Sequence, residues 1–369
     1  MANADILKIF KQNFPYALTC KIILAVKLIT YFARCNLFMY FRRMQGALKE
    51  SAWNRIIEKY PSNTVYHTAE WLEYIEESQG VEKVIYEIVI DEQVVGYLPG
   101  FIIKKGPIKI FGSPFPGWTT LYMGPLIDDT IPQQLFFKEF KKLMQKEGYH
   151  YAELCNRFLD VDIAKQENFI VEEGITYIAE VKPSPEEILS CYKKTTRNCV
   201  RKAIKNGLIA ETTTDGSFID YYYTQLQEVF SKDQMKPTYS KERVRLLIKK
   251  LLPSNKILLT WVKYQDKVIA CYIDIINGLW MHSFGCVSAQ EHLRLCPNEL
   301  ARFHVMCTAA EKGVKYYDMT GGGTYKAKFG SKETKTYTII YSRYGLFYIR
   351  NLAKKLINLR NKIKYKFGR

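Results

Sequence analysis

The sequence has 369 residues, of which 47% are hydrophobic and 25% are charged, so it is neither disordered nor fibrous and is long enough for two domains. Its nine cysteines are scattered without CxxC spacing, which argues against a zinc ribbon, a redox dithiol or a disulfide-stapled secreted domain. The net charge of +17 is concentrated at the two ends: residues 1–49 carry +7 and residues 341–369 carry +9.

The N-terminal tail, residues 1–50, is basic, and such a segment is attracted by anionic lipid or nucleic acid. Residues 14–41 are largely apolar, but Lys21, Lys27 and Arg34 interrupt them, which argues against a transmembrane helix. At helical spacing Lys27 and Arg34 lie near one face, and apolar side chains cover the rest. The pattern predicts an amphipathic helix that either lies in a membrane interface or packs on the protein's own core.

The middle of the chain contains a weak internal repeat, in which two helices, a β-hairpin, a third helix and a strand follow one another. The first copy is predicted at 51–60, 69–78, 83–103, 132–147 and 149–155. The second is predicted at 218–230, 241–252, 257–286, 298–311 and 314–319. In each copy Gly ends the last helix and an acid follows five residues later, as Glu153 after Gly148 and as Asp318 after Gly313. The repeat predicts an α/β (α+β) fold with two similar lobes, at residues 51–182 and 183–340.

The C-terminal tail, residues 341–369, contains nine Lys or Arg and no acid. Its apolar residues recur at helical spacing between the basic ones: Leu346, Phe347, Ile349, Leu352, Leu356, Leu359 and Ile363. The pattern predicts a basic amphipathic helix, and the absence of acids favours an anionic partner over a merely solvated face.

Five local motifs stand in the repeat region. They are the segment Trp53–Pro61 with His67 and Trp71–Leu72, the run VVGYLPGFIIKK that leads to GSPFPGWTTLYMGP at 112–125, KKTTRNCVRKAIKNG at 193–207, CPNEL at 296–300, and YYDMTGGGTYKAKFG at 316–330.

Each motif has a physical interpretation of its own. The apolar Pro/Gly loop at 112–125 predicts the wall of a cleft, because an apolar loop of that length that does not bury itself usually lines one. The glycines after the last strand favour a phosphate-binding nest, with a flexible loop as the alternative. His67, His282 and His304 have no carboxylate or Cys at ligand spacing, so we interpret them as structural and predict no metal site.

Together and in this order, the motifs resemble the FemABX-like acyltransferases and the related BioF2-like acetyltransferase domain, over about residues 53–330. The resemblance implies two tandem GNAT-like lobes with mixed β-sheets, here flanked by basic amphipathic helices at both termini. It also implies an acyltransferase, and acyl transfer to an amine requires no metal. The scattered cysteines favour a reducing cytoplasm, and the basic tails predict peripheral attachment at the inner face of the plasma membrane.

The resemblance assigns the reaction centre to the last motif. Lys326 of YKAKFG takes the position of the family lysine that helps to stabilise charge on the reacting carbonyl. Tyr325 replaces the Phe that is commoner there and adds a hydroxyl. Asp318, at the end of the preceding strand, is expected either to orient Lys326 or accept a proton, or simply to cap the loop. Secondary backbone donors, and contacts to the donor substrate, are expected from three glycines: Gly321, Gly322 and Gly323.

The resemblance also implies an acceptor with phosphates bound between the lobes. Arg197, Arg201 and Lys205 are spaced by four residues, so they share one helix face and are expected to form a phosphate-binding stripe. Trp118 and Tyr122 are candidates for stacking on a sugar or base.

The function expected first is transfer of an acyl group from acyl-CoA, such as acetyl-CoA, to an amino group of a nucleotide- or lipid-linked saccharide in cell-envelope or polysaccharide synthesis. The pyrophosphate loop of acetyl-CoA enzymes, [RQ]-x-x-G-x-[GA], has no match before residue 298. An aminoacyl-tRNA donor, as in peptidoglycan cross-bridge enzymes, is therefore the alternative. A third hypothesis is a non-catalytic module that binds membranes or glycolipids through its tails.

Overall fold

The computed structural model describes residues 38–46, 50–115, 117–128, 130–232 and 235–367, with residues 357–367 as backbone only. The helix that we predict within the N-terminal tail therefore lies outside the described residues, apart from the end of its segment. That end differs from the prediction, because Met39–Arg43 forms strand β1 in the sheet of the first lobe. Met39 and Phe41 point to one side of the strand and are buried in that lobe's core.

The first lobe is a sheet with helices on both faces. Its strands are β2 (Glu82–Ile90), β3 (Gln93–Lys105), β4 (Ile108–Ser113), the short β5 (Leu126–Ile127) and β6 (Tyr151–Cys155). Its helices are α1 (Glu50–Ile57), α2 (Ala69–Gln79), α3 (Gln133–Lys146) and α4 (Val161–Gln166). Helices α1 and α2 cover one face of the sheet. Helix α3 covers the other face and connects the parallel strands β4 and β6.

The second lobe repeats this order. Its strands are β8 (Ile209–Thr212), β9 (Ile257–Tyr264), β10 (Lys267–Asn277), β11 (Trp280–Ser288) and β12 (Tyr316–Asp318). Its helices are α5 (Pro185–Cys191), α6 (Lys194–Lys205), α7 (Phe218–Ser231), α8 (Lys241–Leu251) and α9 (Pro297–Glu311). Helix α9 joins the parallel strands β11 and β12 as α3 joins β4 and β6, so the repeat seen in the sequence is a repeat of structure.

Two strands that the repeat does not predict connect the lobes. They are β7 (Ile170–Glu180) and β13 (Lys332–Ser342), which pair antiparallel with each other in the middle of the sheet. Strand β13 also pairs with β6 of the first lobe, whereas β7 pairs with β12 of the second. Each lobe is thus completed by a strand from the other half of the chain, and one sheet runs from β1 to β8 through the described residues.

The helical layers of the two lobes also meet. Helix α2 packs on α8, and Tyr74 and Leu247 belong to one shared core. Polar contacts border this core: Arg243 Nε donates to the Tyr74 hydroxyl at 2.9 Å, and Lys250 Nζ lies 3.2 Å from a Glu73 carboxylate oxygen. The shared core and the continuous sheet fix the position of the lobes relative to each other.

The predicted C-terminal helix is present as α10 (Leu346–Phe367), which follows β13. Arg350 anchors it on the first lobe, with nitrogens 3.1 Å from carboxylate oxygens of both Glu153 and Glu172. Among the described residues, no helix is both long and apolar enough to cross a bilayer.

Candidate functional site

A cleft of about 440 Å³ lies between the lobes. One wall is the loop after β4, as the sequence predicts, and the floor consists of the exchanged strands β7 and β13. The remaining wall comes from β11 and from the start of the glycine loop, through Ser283, Phe284, Thr320 and Gly321. The cleft therefore brings the loop at 112–125 and the glycine motif together, although they lie about two hundred residues apart in the chain.

The second lobe is open at this point because two parallel strands diverge. The pairing of β11 with β12 ends at His282 and Asp318, yet β11 continues to Ser288. Thr320 bridges the start of the gap, since its hydroxyl donates to the Ser283 carbonyl at 3.0 Å. The edge of β11 that faces away from β10 thus has free backbone groups beside the cleft, where an extended ligand can pair with it.

Lys326 lies in a 3₁₀ turn, Thr324–Phe329, that follows the glycine loop, and its side chain is buried. The ammonium donates to the carbonyl of Thr320, to that of Gly321 at 3.0 Å and to that of Gly322 at 3.2 Å. Burial, assisted by the nearby Arg302 guanidinium, lowers the pKa of Lys326. The ammonium therefore holds the loop through three successive carbonyl groups.

This arrangement determines where the N–H groups of the loop point. A trans peptide places its N–H opposite its C=O, so the N–H groups of Gly321, Gly322 and Gly323 point away from Lys326. None of these three N–H groups has an acceptor among the residues that the structure describes. Gly321 and Gly323 have φ of +65° and +133°, which a residue with a side chain rarely adopts. Gly321 and Gly323 thus allow the loop to turn its carbonyl groups towards Lys326 while its N–H groups stay unpaired within the described residues.

Asp318 is fully buried and does not contact Lys326. Its carboxylate accepts from the Thr320 backbone N–H at 2.8 Å, the Thr176 hydroxyl at 2.5 Å and the Tyr122 hydroxyl at 3.0 Å. Of the roles that the sequence left open, the contacts favour the cap: Asp318 fixes the start of the glycine loop and ties it to both lobes.

Arg157, which the sequence did not single out, completes this cluster. One of its terminal nitrogens lies 2.5 Å from the Asp318 carboxylate. Its guanidinium is stacked between Tyr122 of the first lobe, at 3.9 Å, and Trp280 of the second, at 3.7 Å. A cation between two aromatic faces and a buried carboxylate is strongly held. Arg157 therefore joins the lobes at the base of the glycine loop.

A second buried arginine lies behind the Lys326 turn. Arg302 of α9 donates to the Tyr317 hydroxyl, which in turn donates to Asp274 at 2.6 Å. Burial raises the pKa of Asp274 to about 6. The Arg302 guanidinium also lies 5.9 Å from the ring of Phe329, at the end of the YKAKFG turn. The turn is therefore backed by a polar network that the sequence pattern did not reveal.

The other predicted site residues lie apart from one another. Tyr122 lines the cleft, but Trp118 lines a separate groove on the first lobe. Arg197 donates to the Tyr192 carbonyl at 2.5 Å, and Arg201 and Lys205 are exposed on α6. None of these three basic residues lines the cleft.

Tyr325 is 54% exposed, with its ring centre 5.8 Å from the Lys326 ammonium. Partial burial raises the pKa of its hydroxyl. The structure thus places Tyr325 next to the predicted centre without a bonded partner for its hydroxyl in the described part of the chain.

The histidines that we interpret as structural are packed within the lobes. His67 accepts from the Thr64 N–H at 3.0 Å and bonds the Met123 carbonyl at 2.6 Å, so both ring nitrogens are satisfied. His282 is buried beside Trp280 and has no hydrogen-bond partner in the described residues. Burial lowers the pKa of His67 to about 4 and that of His282 to about 3, so both rings are neutral at physiological pH. Within the described ranges no group of three or more His, Cys, Asp or Glu is placed to hold a metal.

Comparison with known proteins agrees with this architecture. The sequence family described as "Acetyltransferase (GNAT) domain" matches residues 190–328, from α5 to the Lys326 turn. The crystal structure of FemX superposes with a TM-score of 0.65 at 13% identity, over 80% of this chain and 96% of that one. No curated protein matches the sequence.

Two further structures share the fold. The L-PGS structure from Bacillus licheniformis has a TM-score of 0.53 at 11% identity, over 86% of this chain and all of that one. A conserved protein of unknown function from Bacteroides thetaiotaomicron has the same TM-score at 14% identity, over 82% and 100% of the two chains. Residues 190–328 are thus similar to a GNAT-type acetyltransferase domain, and the chain as a whole shares the fold of FemX.

Proposed function

We propose that this protein transfers an acyl group from acyl-CoA to an amino group of a nucleotide- or lipid-linked saccharide precursor of the cell envelope or of a polysaccharide. The observation that carries the proposal is the glycine loop: Gly321 lines the cleft together with Ser283 and Phe284 of β11, and the N–H groups of Gly321, Gly322 and Gly323 have no acceptor among the described residues. Attack of an amine on a thioester carbonyl places negative charge on the carbonyl oxygen, and aligned N–H donors stabilise that charge.

The role of Lys326 follows from its contacts. Its ammonium binds the carbonyl groups of Thr320, Gly321 and Gly322, so it acts as a positioning residue for the oxyanion donors. Asp318 and Arg157 hold the other end of the same loop. The attacking amine binds in the cleft as the free base, and the cleft holds it against the carbonyl carbon. The sulfur of CoA leaves as the thiolate, and the one proton that the amine loses passes to that thiolate through solvent at the cleft mouth, which gives free CoA.

The choice of donor rests on the family match and on charge. The matched GNAT domain favours acyl-CoA, and the middle of the chain carries a net charge of only +1, which is low for a surface that binds tRNA. An aminoacyl-tRNA donor remains the second candidate, because the segment before α9 is a 3₁₀ turn, Gln290–Leu295, without the glycine-containing pyrophosphate loop.

The donor is tested by titrating the full chain with acetyl-CoA and, separately, with bulk aminoacyl-tRNA at physiological salt. We expect saturable binding of acetyl-CoA and release of free CoA when an amine acceptor is added. Micromolar tRNA binding with a steep dependence on salt, and no acetyl-CoA binding at millimolar concentration, would reverse the assignment.

We further propose that α10 holds the protein on an anionic membrane at the inner face of the plasma membrane. Four large residues on its solvent side are exposed: Tyr348, Ile349, Leu352 and Leu356. They form a stripe about 100° wide at helical spacing, and Lys354 and Lys355 are exposed on the same helix. An apolar stripe with basic neighbours and no acids suits an interface of anionic lipid.

The test is co-sedimentation of the full chain with phosphatidylglycerol vesicles. Replacing both Leu352 and Leu356 with Glu should release the protein, and replacing the exposed Leu279 of the second lobe with Glu should not. Equal sedimentation of the two variants would contradict docking through α10.

A further inference from the structure

A second cavity, the α10 groove, lies between α10 and the sheet of the first lobe. Its volume of about 460 Å³ falls within the range of about 300–1,000 Å³ that is usual for small-molecule sites. The floor consists of Ile103, Ile108 and Ile110, which share one face because Ile103 pairs with Ile110 across β3 and β4. Phe115 and Trp118 form one wall.

The floor is apolar but incompletely covered. Helices α1 and α2 pack on the same face of the sheet around Phe101, further from the end of β4. Helix α10 lies over the rest of this face, and the cavity lined by Ile349 and Ala353 separates the helix from the strands. The floor isoleucines remain only half-buried, so covering them with hydrocarbon gains about 25 cal/mol for each Å² removed from water.

The charges at the groove favour an anion at its rim. Lys105 and Lys354 line it, are exposed, and have no acidic partner within the described ranges. The acid in the groove, Glu153, is buried and ion-paired with Arg350, 3.1 Å away. A ligand that enters from solvent therefore meets two free ammonium groups beside an apolar floor.

The groove is also continuous with the surfaces already described. Trp118 belongs to the same loop as Gly117 and Thr119, which line the cleft, so one loop separates the two cavities. On the other side, Ile349 belongs both to the groove and to the exposed stripe of α10. A molecule with a hydrocarbon chain and a phosphate can pass from the membrane side of α10 towards the cleft.

We propose that the α10 groove binds the hydrocarbon chain of a lipid-linked acceptor, with the phosphate of that lipid at Lys105 and Lys354. The inference rests on the proposed function, which it deepens: it selects the lipid-linked acceptor over the nucleotide-linked one. Trp118, which the sequence suggested as a stacking platform for a sugar, then serves as a wall for the chain.

The experiment uses Trp118 as a reporter in the full chain. The probe is a long-chain alkyl phosphate with bromine at the chain end, titrated as a monomer, because bromine quenches an indole that it contacts. The same alkyl phosphate without bromine is the control. We expect the brominated probe to quench the tryptophan fluorescence of the wild type saturably. In Trp118→Phe this saturable quenching should be absent. Lys105→Ala combined with Lys354→Ala should weaken binding about tenfold, which corresponds to about 1.4 kcal/mol.

A matched pair of variants tests the location. Ala353→Phe narrows the groove and should abolish the quenching, whereas Leu352→Phe, on the exposed stripe, should retain it. Both positions are exposed on α10, so neither change disturbs the core. Quenching that is absent in the wild type, or unchanged in Ala353→Phe, would overturn the proposal.

This readout does not depend on turnover. Acyl transfer to soluble amines without binding of the alkyl phosphate would overturn the groove and leave the proposed function in place. Binding of the alkyl phosphate by a protein that neither binds acetyl-CoA nor releases CoA would support the groove and contradict the proposed function.

Discussion

The two lobes place an acid at the same point of the fold and surround it differently. Glu153 lies at the centre of β6 in the first lobe and Asp318 ends β12 in the second, each five residues after the glycine that ends the preceding helix, and both are buried. Each is paired with an arginine from outside its own lobe's repeat: Glu153 with Arg350 of α10, and Asp318 with Arg157 of the first lobe. Both copies of the repeat thus contain a buried acid, but the arginine that pairs with it comes from a different part of the chain in each.

The two lobes also differ in how far the two parallel strands beside the acid remain paired. In the first lobe the pairing of β4 with β6 extends to Ser113, the last residue of β4, so no edge is left open. In the second lobe β11 continues six residues beyond its pairing with β12, and the glycine loop follows the end of β12. The GNAT match covers this second lobe. The comparison teaches that the open strand edge, and not the repeated acid, distinguishes the proposed catalytic lobe.

The largest expected effect is that of removing the ammonium that holds the glycine loop. Lys326→Ala should lower transfer by about a hundredfold or more, the scale for losing an oxyanion donor, because the loop no longer presents its N–H groups. The melting temperature should also fall, since three charge-assisted hydrogen bonds are lost.

The matched control is Lys328→Ala in the same turn, which removes an ion pair with Glu299 and a cation–π contact with Phe329 but no bond to the glycine loop. Steady-state release of CoA measures both variants. If Lys326→Ala turned over like the control, the proposed role of Lys326 in the second lobe would be wrong.

The arginines that pair with the two acids should differ in their effect on stability. Arg157→Ala leaves the buried Asp318 charge without its cation, which costs about 3–5 kcal/mol of unfolding free energy. Arg350→Ala should cost less, because burial already raises the pKa of Glu153 and that carboxyl can take up a proton. Urea unfolding at pH 7 compares them, and an equal loss in both variants would contradict this difference.

The buried histidine of the first lobe should make stability depend on pH. The pKa of His67 falls from 6.5 to about 4 on folding, so below pH 6.5 the unfolded chain binds a proton that the folded chain does not. Its contribution is complete above pH 6.5 and declines by up to about 3 kcal/mol as the pH falls to 4.

His67→Gln should flatten this part of the profile, because a neutral amide can keep the bonds to Thr64 and Met123 without titrating. The measurement is the slope of the unfolding free energy against pH between 4 and 6.5. Parallel profiles for the wild type and the variant would show that His67 does not contribute.

The smallest effect is expected at Tyr325. Tyr325→Phe restores the residue commoner in the related motif and removes, from a half-exposed side chain, a hydroxyl without a partner in the described residues. Stability should change by less than about 0.5 kcal/mol, as for other surface substitutions. Turnover of CoA should stay near that of the wild type, and a large loss would instead assign the hydroxyl a part in the reaction.

The sequence predicted those parts of the fold that depend on local periodicity. The helices and hairpins of both lobes occur close to the predicted positions, since amphipathic patterns and glycine stops are read within a few residues. Strands β7 and β13 were missed because charged residues interrupt their apolar pattern; Glu173 and Lys335, 3.0 Å apart, illustrate this. Their exchange between lobes is a long-range pairing that no local pattern encodes.

In the candidate site, too, the sequence revealed local motifs but not contacts between distant residues. The glycine motif and the cleft-lining loop were visible as local runs, and the structure brings them together. Arg157 was not, because its partner Asp318 lies 161 residues further along the chain. Arg197, Arg201 and Lys205 share a helix, but spacing alone does not show whether that helix meets the cleft. Their part in binding phosphate stays a prediction.

The exchange of β7 and β13 has a consequence for synthesis of the protein. In the sheet of the first lobe, strand β6 lacks its partner β13 until residue 342 has been made. Until then the ribosome-bound first half exposes an unpaired strand edge, which is a site for aggregation. The two lobes should therefore reach their final form together, after both have been synthesised, and a gene cut between them should yield two insoluble halves that become soluble when produced in the same cell.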